Sequence, residues 1–280
     1  MKRFSLVVSS LFVFLFLALT ARAGTIPITD LYVNPSAVAP GSPEVGPFTT
    51  FAFHDQTRSI ADATTVSDIT VGTSFLDFGH GMVYELRDEN NRTLSAPGLD
   101  EDWTFWVEWD IASQVDSITG NIYNLSYSYG SLTVWLTSAD GSFGTEQSPE
   151  DDVKPSNAVF VLNATIDPAT STGFLIYDTN TDLFFRNVTV NFIPQNVNTS
   201  ILRSDSIDLT SVSLDLLATE SAASGLSNFS NCNGKLCVDA SGGGSMRIAA
   251  VPEPTAMFLL GSGAALLFFG VRRFKRRPEA

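Results

Sequence analysis

The first candidates for chemistry in this chain are Glu108 and Asp110, separated by Trp109. Alternate residues of a strand share one face, so both carboxylates would stand side by side, as nucleophile and acid do in some sandwich-fold glycoside hydrolases. Those enzymes carry a further Glu three positions on, and Ser113 occupies that position here, which removes the acid/base. His54 beside Asp55, and His80 between Gly79 and Gly81, are isolated imidazoles read as structural or surface groups. The chain has no G-x-S-x-G, no H-E-x-x-H and no P-loop. No catalytic residue is assigned, and a non-catalytic protein is expected.

Binding chemistry offers more. Asp178-x-Asn180-x-Asp182 has the spacing that opens a calcium loop, but Leu183 stands where the turn glycine belongs and Thr189 where the bidentate Glu belongs. An Asx hairpin turn is the better reading. The runs Asp100-Glu101-Asp102 and Glu150-Asp151-Asp152 either stand as solvated loops or take calcium with backbone carbonyls. No metal ligand is assigned, and calcium is the one cofactor the sequence leaves open. Cys232 and Cys237 enclose Asn233-Gly234-Lys235-Leu236, a spacing that in an exported protein predicts a local disulfide pinching a hairpin. Zinc is the weaker reading, since two ligands are missing. Trp106, expected to be exposed, or a stripe of Tyr123, Tyr127 and Tyr129, gives the runner-up function: a calcium-assisted carbohydrate-binding module. Six N-x-S/T triplets, at Asn91, Asn124, Asn163, Asn187, Asn198 and Asn228, exceed chance modestly, and alternating Thr and Asn in strands accounts for part of the excess.

These residues must be positioned by strands, because a period of two dominates the chain. Candidate strands are 49–53, 69–78 with an interruption at Gly72, 82–86, 104–111, 122–129, 132–137, 158–166, 174–177, 183–192, 207–217 and 245–250. Turn chemistry such as Asp88-Glu89-Asn90-Asn91, Asp140-Gly141 and Asn233-Gly234 separates them. In 104–111, Phe105, Val107, Trp109 and Ile111 form the core face, and Trp106, Glu108 and Asp110 the other. In 183–192 the apolar face is Phe184, Arg186, Val188, Val190 and Phe192. Residues 24–47, with five prolines, read as irregular, and 221–245 is a Ser/Gly/Asn-rich segment ahead of the last strand. The fold class expected is all-β, a β-sandwich with jelly-roll or Greek-key connections.

Composition narrows the setting. The chain has 280 residues and net charge −14, with Ser and Thr at 57 positions. Residues 24–251 hold 28 Asp/Glu against 8 Lys/Arg, so the body carries −20, which repels phosphate backbones and excludes nucleic acid as a natural partner.

The two ends are basic. Residues 1–23 run from Lys2-Arg3 through an apolar stretch to Ala21-Arg22-Ala23, the order of a secretory signal peptide with Ala21 and Ala23 as the signal peptidase site. At the other end Val251-Pro252-Glu253-Pro254-Thr255 precedes the uncharged run 256–271, then Arg272, Arg273, Lys275, Arg276 and Arg277. At about 1.5 Å per residue that run makes a helix of about 24 Å, a minimal membrane span. The basic cluster stays cytoplasmic by the positive-inside rule, leaving the acidic body on the far side. The expected domains are thus a signal peptide (1–23), an exported domain (24–250) and a C-terminal segment (251–280).

That C-terminal order of Pro-Glu-Pro, apolar helix and basic cluster resembles the PEP-CTERM sorting signal. The resemblance covers only about the last 30 residues and the signal peptide. It implies recognition by an exosortase-type membrane protease, cleavage near Pro-Glu-Pro, and delivery to the cell surface or extracellular matrix. It further implies a setting of biofilm, floc or exopolysaccharide, with polysaccharide as a further partner. Pro252 and Pro254 fix φ and push their predecessors toward extended backbone, which makes the strip graspable by a protease. Two readings stay open from the residues alone: a cleaved address, or a permanent membrane anchor.

Overall fold

The computed structural model describes residues 25–138, 157–178, 180–181, 183–225 and 229–251. Its strands are β1 (Ile26–Pro27), β2 (Leu31–Val33), β3 (Val45–Phe48), β4 (Thr50–Ala61), β5 (Ser74–Arg87), β6 (Trp103–Thr119), β7 (Ile122–Ser138), β8 (Val159–Ile166), β9 (Thr172–Asp178), β10 (Leu183–Val197), β11 (Leu202–Ser204), β12 (Ser213–Gly225), β13 (Phe229–Cys232) and β14 (Lys235–Val251).

Strands β4 to β8 each pair antiparallel with the next, β10 pairs with β8 and β12, and β12 lies beside β14. Strand β14 then pairs antiparallel with β4, from Leu236 opposite Ala61 to Arg247 opposite Thr50, and closes the ring. Strand β9 continues β8 in the same slot, pairing with the first halves of β7 and β10. The result, among the described residues, is a meander closed on itself, a barrel of eight strand positions. The all-β expectation holds, and the two layers of a sandwich are present as opposite walls of this closed sheet. The connections correct the Greek-key or jelly-roll expectation: β4 to β8 form a meander, and β10, β12 and β14 follow in that order round to β4.

Alternation fills the barrel. Phe105, Val107, Trp109 and Ile111 of β6 are buried, as are Phe184, Val188, Val190 and Phe192 of β10, both faces as expected. The interior is occupied by side chains, most of them apolar. A small sheet in the order β11-β2-β3 adds Leu31, Val33 and Leu202 to the core. Phe48 of β3 meets Phe51 edge-to-face at 4.9 Å, and Phe51 meets Phe105 at 5.2 Å, so this apolar patch continues into the barrel.

Several strands run farther than alternation suggested. β5 crosses Gly79-His80-Gly81 without interruption, and residue 79 is glycine because a Cβ there would come within 2.3 Å of the Trp109 indole. The Ser/Gly/Asn-rich 221–245, placed ahead of the last strand, itself carries strand: β12 extends to Gly225 and β14 begins at Lys235. Between β13 and β14, Asn233 and Gly234 adopt positive φ of 56° and 86°, the two-residue hairpin turn that Asn-Gly favours. Across it Cys232 and Cys237 form a disulfide, S–S 2.08 Å.

Candidate functional site

Two polar constellations stand out, one inside the barrel and one outside. The inner one centres on Arg186, whose side chain is 9% exposed. Its Nη1 donates to Asp77 at 2.9 Å, and its Nη2 donates to Glu220 Oε1 at 2.6 Å and to Thr57 Oγ1 at 3.2 Å. Thr57 donates onward to Asp55 at 3.2 Å, and Ser59 donates to Asp77. Strands β4, β5, β10 and β12 each supply a member, so opposite walls are tied together. Burial and the nearby charge of Glu220 push Asp55 up to about 8, and burial also raises Asp77. Burial opposes the charge on Arg186, but Glu220 and Asp77 outweigh it and hold the guanidinium firmly protonated. Asp55 is therefore largely protonated at neutral pH, which leaves the one guanidinium to Asp77 and Glu220. Burial raises the phenol of Tyr127 as well, and its hydroxyl has no hydrogen-bond partner among the described residues.

The outer constellation is a groove of about 600 Å3 over β14, between the outer faces of β4 and β5 on one side and β10 and β12 on the other. Its first wall is the stacked pair His54 and Tyr84, ring centroids 4.1 Å apart and 11° from parallel. A bulge aims Tyr84: Ala52 pairs with Glu85 and Phe53 with Val83, so Tyr84 is the extra residue. The floor is Gly242-Gly243-Gly244, and the second wall carries Asn187, Thr189, Thr219 and Ser221.

The residues singled out in the sequence are distributed as follows. Glu108 and Asp110 do share the outer face of β6, where Glu108 accepts from Trp106 Nε1 at 2.7 Å and Asp110 from the Ser131 amide at 3.0 Å. Trp106 is 3% exposed and stacks on His80, so its expected role as an exposed platform is corrected. The tyrosine stripe is also broken, because a bulge opposite Ala112 and Ser113 leaves Tyr127 inward and Tyr129 outward at 61% exposure. Asp178 accepts from the Asn180 amide at 2.9 Å and from Thr181 Oγ1 at 2.8 Å, an Asx turn whose bonds lower its pKa. Burial lowers His80. Among the described residues no group of three or more His, Cys, Asp or Glu could hold a metal ion, and no helix is long and apolar enough to cross a membrane. The signal peptide with Ala21 and Ala23, the run Glu150 to Asp152, Asp182, Asn228, the span 256–271, the basic tail and Pro252 to Thr255 lie outside the described residues; Val251 ends β14.

Sequence reasoning missed both constellations. Arg186 among Phe184 and Val188, on a face otherwise apolar, was the signal for the inner one, since a buried guanidinium demands carboxylates. The outer one is built from ordinary residues on five strands and carries no spacing signal.

At the C-terminus a family description matches residues 250–277, that of the PEP-CTERM protein-sorting motif. The chain carries a PEP-CTERM sorting motif. Such a motif implies an exported protein that exosortase, a membrane protease, sorts toward the cell surface. The match covers Pro252-Glu253-Pro254, the apolar run and the basic cluster, and leaves the barrel unassigned. No curated protein and no solved structure matches the chain.

Proposed function

We propose that the chain is a structural or adhesive component of the cell surface or extracellular matrix, in biofilm, floc or polysaccharide coat, released or transferred when exosortase cuts near Pro252-Glu253-Pro254. The PEP-CTERM motif at residues 250–277 carries this reading. The body supports it in three ways. Its charge of −20 favours solubility outside the cell. Among the described residues its main sheet closes on itself through β14 and β4, which limits uncontrolled strand addition. Its interior is filled by side chains, which suits a stable module more than a carrier with a ligand-sized lumen. The protein acts without catalysis and needs no resident cofactor; Glu108 and Asp110 serve their neighbours Trp106 and Ser131.

The test is fractionation of the native host with and without its exosortase, using the full chain and a Glu253→Ala variant. The full chain reaches the surface or medium only when exosortase is present, and it collects in the inner membrane when the protease is deleted. An unchanged distribution in the deletion strain contradicts the proposal.

A further inference from the structure

We infer that the outer groove over Gly243 binds a neutral saccharide segment, laid against the His54–Tyr84 pair and hydrogen-bonded along the opposite wall. The inference rests on the groove alone and holds whether or not the C-terminal motif is cut.

The two walls differ in a way that fits one class of ligand. His54 and Tyr84 offer aromatic surface, with Tyr84 38% exposed. Facing them across the glycine floor, Asn187, Thr189, Thr219 and Ser221 offer amide and hydroxyl groups. A pyranose has the same division, with C–H bonds on its faces and hydroxyls around its rim. One ring placed in the groove meets aromatic carbon on its face and donors and acceptors at its edge.

Charge excludes the main competitors. Arg87, at the rim, gives its guanidinium to Glu85, Nε to Oε2 at 2.8 Å. Glu220, at the base, is held by Arg186. Among the described residues the groove therefore lines no carboxylate or guanidinium without a partner, and a chain at −14 repels polyanions.

The floor is the third observation. A Cβ on Gly242 or Gly244 would come within 2.3 and 2.2 Å of the Ser221 and Thr219 carbonyl oxygens, so close approach of β12 requires glycine at both. Residue 243 is different: a Cβ there would meet Phe53 O at 3.1 Å and His54 Nδ1 at 3.7 Å, contacts that a small shift relieves. The fold constrains Gly243 less than its two neighbours, and an open floor also needs it.

The site is also held in shape before any ligand arrives. Asn187 Nδ2 donates to Ser221 Oγ at 2.8 Å, and the Thr219 and Ser245 hydroxyls lie 3.0 Å apart in hydrogen-bond contact. The bulge and the stack fix Tyr84. Such preorganisation reduces the ordering cost of binding, and a volume of about 600 Å3 lies within the usual range of roughly 300–1,000 Å3 for ligand clefts.

The experiment is calorimetric titration of the full chain, in a detergent without a sugar headgroup, with tetrasaccharides of β-1,4-glucan, α-1,4-glucan, mannan and galactan, and with oligogalacturonate as the charged comparison. The expected result is binding of at least one neutral tetrasaccharide, weakened about tenfold by Tyr84→Ala. Gly243→Val abolishes binding. Because Tyr84 is a surface residue, its variant carries the test even if Gly243→Val fails to fold. Absence of binding to every neutral saccharide at about 10 mM, neutral binding that Tyr84→Ala leaves unchanged, or binding of oligogalacturonate alone overturns the inference.

Discussion

Arg186 and Asn187 are consecutive in β10 and face opposite sides of the barrel wall. Inside, Arg186 is fixed by Asp77 and Glu220 from two other strands, and Asp55 and Thr57 extend the set. Outside, Asn187 makes one bond to Ser221 of the adjacent strand and borders an open groove. A slip of one residue in β10 would drive Arg186 into solvent and Asn187 into a cluster of carboxylates. The inner network therefore helps fix register as well as holding the walls together. The lesson is a division of labour: the polar groups inside are mutually dependent and serve the fold, while those outside are individually replaceable and are the ones available for recognition.

The largest expected effect breaks the inner side of that comparison. Arg186→Met strands Asp77 and Glu220 without their counter-charge and costs about 3–5 kcal/mol in a denaturant titration. Adding Asp77→Asn and Glu220→Gln recovers part of the loss, because no buried charge is then left uncompensated. A single variant as stable as the parent would show that the network contributes little.

A second effect is expected from pH. The carboxyl of Asp55 ionises near 3.8 when unfolded and at about 8 in the barrel, so between those values the folded state holds a proton that the unfolded state has released. Stability therefore falls as pH rises from near 3.8 to about 8, and the raised Asp77 acts in the same direction. Asp55→Asn should flatten this slope in melting curves collected across the window. An unchanged slope would remove Asp55 from the account.

Much of this organisation was legible and part was not, for identifiable reasons. The inward faces of β6 and β10 followed from alternation, even with Arg186 on one of them, because the flanking Phe and Val residues outweigh a single charge. The Cys232–Cys237 pair followed from its spacing across Asn233-Gly234. The continuity of β5 through Gly79 and Gly81 did not, since only the position of Trp109 accounts for glycine at residue 79. The first part of β14, ahead of residue 245, was hidden for a related reason: Ser241-Gly242-Gly243-Gly244 has loop composition, and close approach of β12 explains two of its glycines. Closure itself pairs strands far apart in the chain and leaves no local signature. A bulge is likewise invisible to a period of two, which is why Tyr127 and Tyr129 were placed on one face and Tyr84 was passed over.

Two weaker effects sharpen the comparison. Reducing Cys232–Cys237, or replacing both with Ser, costs about 2 kcal/mol or less, because the loop it closes is short. Asn187→Ala changes stability by no more than about 0.5 kcal/mol, in contrast to its neighbour Arg186, and thermal unfolding of the two variants side by side measures the difference directly.

The central claim is that this acidic barrel is exported and sorted through its C-terminal motif. Its most direct test is the intact mass of the chain recovered separately from the membranes and the medium of the native host. The account predicts a species that begins at Gly24 and ends between Pro252 and Thr255. A chain that runs to Ala280 and occurs only in membranes would contradict it.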